Sequence, residues 1–160
     1  MKNKIKLLLL LAVFIFFTKL SFAVGINFES NSVDILDKGN LIEANGNVKA
    51  TVDNGLIISG DNAKFDKKKS ILIIKGNVFV DDKENELNLN SDEIIYDKNK
   101  EIIITKGKTI SKIQNNYKII GSEIKHDRLK MIFSSQENTI IKDNFGNIFE
   151  AEKFKFEVNN

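Results

Sequence analysis

Leu41-Ile42-Glu43-Ala44-Asn45-Gly46-Asn47-Val48-Lys49-Ala50-Thr51-Val52 alternates two kinds of side chain. Ile42, Ala44, Val48, Ala50 and Val52 share one parity, with Gly46 at the same phase. Glu43, Asn45, Asn47, Lys49 and Thr51 take the other. A period of two belongs to a β-strand with one dry and one wet face. Further on, Leu72, Ile74, Val78 and Val80 repeat the pattern around Gly76, while Ile71, Ile73 and Phe79 make this copy apolar on both faces. A mid-strand glycine, twice at one phase, marks a place where the sheet bends or another backbone comes close.

Working outward, the same phrases recur. Gly46-Asn47-Val48 returns as Gly76-Asn77-Val78 and, more weakly, as Gly107-Lys108-Thr109, a period of 30 or 31 residues. Between them lies a second phrase: Gly60-Asp61-Asn62-Ala63-Lys64-Phe65-Asp66, Ser91-Asp92-Glu93-Ile94-Ile95-Tyr96-Asp97 and Gly121-Ser122-Glu123-Ile124-Lys125-His126-Asp127. A last copy, Ala151-Glu152-Lys153-Phe154-Lys155-Phe156-Glu157, starts just before the chain ends, as if the final unit were cut short. Charged tripeptides follow the aromatic-plus-acid ends: Lys67-Lys68-Lys69, Lys98-Asn99-Lys100 and Arg128-Leu129-Lys130. These read as turns, as do Asp37-Lys38-Gly39-Asn40, Asp53-Asn54-Gly55 and Asp143-Asn144-Phe145-Gly146-Asn147. No helical spacing persists after residue 23. Two strands per unit predict nine or ten strands in an all-β fold of about 30-residue hairpin repeats, an antiparallel stack closed over itself like a jelly roll. A parallel β-helix competes, but its coils are usually shorter and these turns are of hairpin type.

The N-terminus reads as a leader. Lys2, Lys4 and Lys6 precede an unbroken apolar run from Leu7 to Phe17, and Ser21-Phe22-Ala23 supplies small residues for cleavage. The run is short for a bilayer span, which needs about 20 residues. The expected organisation is therefore a signal peptide over 1–23 and one β-domain over 24–160, exported to the periplasm. The whole chain carries 24 basic and 22 acidic residues; without Lys2, Lys4, Lys6 and Lys19 it carries 20 against 22, a net of −2. No clustered basic face recommends a nucleic acid. With no cysteine, no disulfide staples the domain, which must bury its own core.

Catalytic signals are weak. His126 is the one histidine, so a two-histidine metal site is excluded, and it occupies the aromatic slot of its repeat. The acids Asp81, Asp82, Glu84 and Glu86 lack calcium-loop spacing and read as a solvated hairpin. Serines stand outside any nucleophile-elbow context. The expectation is a protein that is not an enzyme, with no cofactor and no metal.

Ile26-Asn27-Phe28-Glu29-Ser30, an aspartate-rich turn ending Gly39-Asn40, then Leu41 through Val48, resembles the opening of the OstA-like family. Ser59-Gly60-Asp61-Asn62-Ala63-Lys64-Phe65-Asp66 resembles its second signature, small-Asp-x-x-x-aromatic, and the likeness runs from Ile26 to the end. That family comprises the periplasmic lipopolysaccharide-transport protein LptA, the amino-terminal domain of the translocon LptD, and the related LptC. The resemblance implies a β-jelly roll open along one side as a trough. It would shelter the lipid A acyl chains of lipopolysaccharide and join LptC, LptA, LptD or further copies of itself end to end by β-strand addition, associated with the outer membrane if part of an LptD-type protein. It also implies that Ile26 and Phe28 lie inside near one end of the groove. The same-facing Ile42, Ala44, Val48, Val52, Phe65, Leu72, Ile74, Val78 and Tyr96 complete the expected lipid-binding set, though each taken singly also fits ordinary core. The ending at Glu157-Val158-Asn159-Asn160 fits a chain that continues into a membrane barrel as well as a free bridge protein. Absent cysteine departs from the disulfide-linked translocons. The alternative is a structural β-repeat, adhesin-like or fibre-like, whose apolar parity is closed core.

Overall fold

A computed structural model describes residues 25–52 and 55–158. The leader expected over 1–23 and the Asp53-Asn54 part of one expected turn lie outside the described residues. The fold is all β. Its strands are β1 (Asn27–Glu29), β2 (Ser32–Leu36), β3 (Leu41–Thr51), β4 (Leu56–Asp66), β5 (Ile71–Asp82), β6 (Leu87–Asp97), β7 (Ile102–Lys106) and β8 (Thr109–Ile113). Then come β9 (Tyr117–Gly121), β10 (Lys125–Asp127), β11 (Ile132–Ser135), β12 (Thr139–Asp143), β13 (Ile148–Ala151) and β14 (Phe154–Glu157). A 3₁₀ turn at Asp37–Gly39 is the only helical piece among the described residues.

All strands belong to one antiparallel sheet. Fourteen exceeds the nine or ten expected because several passes of the chain are interrupted midway: β7 and β8 are one pass broken at Gly107, and β1 with β2, β9 with β10, β11 with β12 and β13 with β14 are likewise broken. Counted as passes, the strands number nine. The breaks line up. Register shifts fall between Asn45 and Val48 on β3, Ser59 and Asn62 on β4, and Lys75 and Val78 on β5. Gly46-Asn47 opposes the single residue Asp61, and Gly76-Asn77 opposes Asp92, two residues against one as in a β-bulge. Gly46 and Gly76, together with Asn47 and Asn77, adopt positive φ. Glycine and asparagine are the residues that tolerate this conformation, which is why the pair recurs.

The line of bulges folds the sheet into two halves. One half holds β2, the first parts of β3 and β5, the second parts of β4 and β6, then β7, β10, β11 and β14. The other holds β1, the remaining parts of β3 to β6, then β8, β9, β12 and β13. Side chains of the apolar parity from both halves meet in a single hydrophobic cluster.

At the crease the backbones approach closely. A Cβ on Gly60 would lie 2.5 Å from Ile74 Cγ2 and 3.0 Å from the Gly76 carbonyl oxygen. Gly60→Val should therefore lose about 1–3 kcal/mol of stability by overpacking, read as a lower urea midpoint. Gly25→Ala, which meets nothing within 4 Å, should leave the midpoint in place.

The expected aspartate turns are built alike. Asp66, Asp97 and Asp127 each accept the backbone N–H of the residue three further on, at 3.1, 3.2 and 3.1 Å, and pair with that residue's ammonium. The residues that follow, Ser70, Glu101 and Met131, reverse the chain at positive φ. Every turn then docks on the one before: Lys67 N–H donates to the Asn40 carbonyl, Lys98 to Ser70, Arg128 to Glu101 and Val158 to Met131, at 2.8 to 3.0 Å.

Candidate functional site

The eleven side chains singled out as inward-facing all reach the shared cluster. Ile26, Ala44, Val48, Val52, Phe65, Leu72, Ile74, Val78 and Tyr96 are buried; Phe28 and Ile42 are half-buried and packed against the rest. On the bulged β3 and β5 the inward side chains keep one parity across the crease, Ala44 to Val48 and Ile74 to Val78, whereas on β4 and β6 the inward parity shifts by one residue, from Ile58 to Ala63 and from Leu89 to Ile94.

Burial varies along the interior in an ordered way. In the middle, Leu56, Ile58, Ile74, Val80, Leu87 and Leu89 are fully buried, so the two halves are filled there by their own side chains. Toward the terminal strands the same row opens. Val33 and Ile35 stand opposite Ala44 and Ile42, hence on the inward face, and Ile35 is 67% exposed. Phe149 stands opposite Ile141, itself opposite the buried Ile119, and is 57% exposed. The half-buried inward aromatics collect at these ends: Phe28 lies 6.2 Å from Phe65 between ring centroids, and Tyr117 meets Phe156 edge-on at 4.9 Å. The site is thus an apolar interior, closed at its centre and accessible at both ends.

A polar cluster joins the halves away from the crease. Arg128 leaves the tip of one half and donates to Asp82 at the tip of the other, Nε to Oδ2 at 2.7 Å and Nη2 to Oδ1 at 3.2 Å; Nη1 bonds Glu101. Asn85 Nδ2 gives Asp82 a further bond at 2.9 Å. The Asp82 side chain is fully buried and that of Arg128 is 4% exposed. Burial alone would raise the Asp82 pKa, but the bonds from Arg128 and Asn85 outweigh it and hold the carboxyl below its usual value. Burial likewise works against the guanidinium, and the Asp82 hydrogen bond and charge reverse the effect, leaving its pKa raised. Tyr96 is held neutral, its phenol pushed up by burial and then by the Glu101 charge.

His126 lies beside this cluster on β10, stacked on Phe133 with centroids 4.0 Å apart and planes 5° from parallel. It is a strand side chain in the aromatic slot, as its repeat position implied. Neither ring nitrogen has a hydrogen-bond partner among the described residues. Burial lowers its pKa from the usual 6.5 to about 4.

The sequence placed Arg128 in a charged turn and Asp82 in a solvated hairpin; both side chains are buried. Two signals pointed inward. Arg128 is the one arginine of the chain, standing where the other repeats carry lysine, and Asp82 shares the inward parity of Val78 and Val80. A planar guanidinium binds a carboxylate bidentately, which a lysine in that slot could not do.

No protein-family model and no curated protein matches this chain. Among solved structures, the crystal structure of LptH, the LptA-homologous periplasmic component of the lipopolysaccharide transport device of Pseudomonas aeruginosa, aligns with a TM-score of 0.63. The two share 13% sequence identity over 80% of this chain and 94% of that one. Such a likeness speaks for architecture, and the described chain has the fold of the LptA-like β-jelly roll.

Proposed function

We propose that this protein carries lipopolysaccharide in the periplasm, sheltering its acyl chains between the halves of the folded sheet and passing it between similar domains joined end to end. The observation that carries this reading is the inward apolar row that runs out to accessible side chains at both terminal strand pairs, in a fold shared with LptH. An acyl chain gains about 0.8 kcal/mol per buried CH₂, so ten methylenes gain several kcal/mol from such a row. The closed centre would have to part to hold a whole lipid, and the Arg128–Asp82 pair is the contact that would give way.

The terminal strands support the bridging half of the proposal. Among the described residues both β1 and β2 pair only with β3, while β13 pairs only with β12 and β14 only with β11. Each leaves an edge of unpaired N–H and C=O groups, which a strand from a neighbouring domain satisfies. Such a contact does not close and builds chains. Partners would be LptC-, LptA- or LptD-type domains or further copies of this one, with the protein acting as a free bridge or as the entry domain of a translocon. Export by the N-terminal leader belongs to the same reading, and no catalytic step is assigned.

The closed centre favours a second reading, a structural β-repeat that carries no lipid. A photo-crosslinking residue at Phe28 or Ile42 should capture lipopolysaccharide added to the purified protein, while one at the outward-facing Lys49 should not. Capture from Lys49 alone would leave the structural repeat standing.

A further inference from the structure

We propose that the outward face of β8, β9 and β12, with the tip of the β12–β13 hairpin, docks on a bilayer surface rich in anionic phosphate headgroups. The proposal concerns the opposite face of the sheet from the lipid-carrying interior and does not depend on it. Lys112 stands directly opposite Lys118, and Lys118 directly opposite Lys142, on three adjacent strands. Adjacent strands lie about 4.8 Å apart, so three ammonium groups share one cross-strand row. None of the three has a carboxylate partner among the described residues. Elsewhere on the outward face Lys49, Lys64, Lys75 and Lys106 each pair with a glutamate at 2.8 to 3.6 Å. Along the lysine row the next carboxylate is Asp81, two strands beyond Lys112.

Like charges directly opposite one another on a sheet are destabilising, so this row is costly to the isolated fold and favourable only against an anion. Its surroundings suit a phosphate. The three lysines line a depression of about 370 Å³ with Asn115, Asn116 and Asn144. Asp143, at its rim, has its carboxylate engaged by the backbone N–H groups of Phe145 and Asn147 and by Asn147 Nδ2, at 2.7 to 2.9 Å.

Apolar groups beside the row point to a membrane as the source of the phosphate. Ile148 stands opposite Lys142, and Phe145 at the hairpin tip is 87% exposed. In the neighbouring outward row, Ile110, Ile120 and Ile140 stand opposite one another, with Glu150 at the end. Lysines flanking exposed aromatic and aliphatic side chains are the composition that seats a protein at an anionic lipid interface.

The test uses the chain from Val24 onward, which contains every strand described above. It has no tryptophan, so F145W supplies a background-free indole at the hairpin tip. Vesicles of phosphatidylglycerol with phosphatidylcholine should sediment the protein and blue-shift the indole emission, and added salt should reverse both. Each lysine near an anionic surface strengthens attachment about fivefold, so K112Q/K118Q/K142Q should weaken it about a hundredfold. The same change at the glutamate-paired Lys49, Lys64 and Lys75 should weaken it far less. Because the triple substitution relieves repulsion, it should fold at least as well as the parent. Equal binding to phosphatidylcholine vesicles, or undiminished binding by the triple variant, overturns the proposal. So does a blue shift that grows with protein concentration in the absence of vesicles, which would assign the patch to a second copy of the chain.

Discussion

Arg128→Met should cost about 3–5 kcal/mol of folding stability, the largest loss expected from any single polar substitution in this protein. The change leaves Asp82 fully buried with a formal charge and only the Asn85 donors to compensate it. An unpaired buried charge is far costlier than the pair is stabilising, since the pair itself roughly balances desolvation against attraction. The double variant Asp82→Asn, Arg128→Met removes both charges and should recover much of the loss. Urea unfolding of the parent, the two single variants and the double variant gives the coupling energy directly. A single variant within about 1 kcal/mol of the parent would mean that the pair does not hold the halves together, because surface-like pairs contribute that little. If the proposed carriage is right, the double variant should also take up lipopolysaccharide at least as fast as the parent, since no ionic contact then resists parting.

The second large effect is acid lability centred on His126. Its folded pKa of about 4 lies below the ordinary 6.5, so the unfolded chain binds a proton that the folded chain refuses. The stability this represents is fully present above pH 6.5 and drains away as pH falls toward 4. The difference amounts to about 3 kcal/mol. The charges acting on the ring are Asp82 and Asp127, which favour protonation, and Arg128, which opposes it; burial outweighs them all. His126→Phe keeps the stack on Phe133 and places in this slot the residue type that the first repeat carries as Phe65. Its unfolding free energy should be flat from pH 7 to pH 5 where the parent's falls. Asp82 titrates in a separate window: its lowered pKa means that its contribution is lost only below the ordinary carboxylate range, so both proteins should weaken there together. A parent whose midpoint does not move between pH 7 and pH 5 would show that the imidazole is not desolvated.

Much of this architecture could be read from the residues because it is local. Parity along β3 and β5 identified which of Ile42, Ala44, Val48, Leu72 and Val78 face inward, since side-chain direction in a strand follows from backbone geometry alone. The Gly-Asn pairs identified the crease because few residues tolerate positive φ at two successive positions. The turn aspartates identified the hairpins because their bonds span three residues. What stayed hidden depends on distant juxtaposition. Arg128 and Asp82 are 46 residues apart and meet only because the tips of two halves converge. The closed centre and open ends of the interior are a matter of how far the halves approach, which no pattern along one strand encodes. The lysine row was hidden for a related reason. It follows from the register of β8 on β9 and β9 on β12, in the part of the chain where the repeat phrases have decayed.

The turn-to-turn hydrogen bonds from Lys67, Lys98, Arg128 and Val158 make each unit rest on its predecessor by one and the same contact. Such an arrangement has no intrinsic stopping point. Inserting or excising a whole unit would lengthen or shorten the molecule by about two strand spacings, about 10 Å, while the cross-section stayed the same. The reach of this protein is therefore a property that gene duplication can adjust in fixed increments, without redesign of the apolar interior.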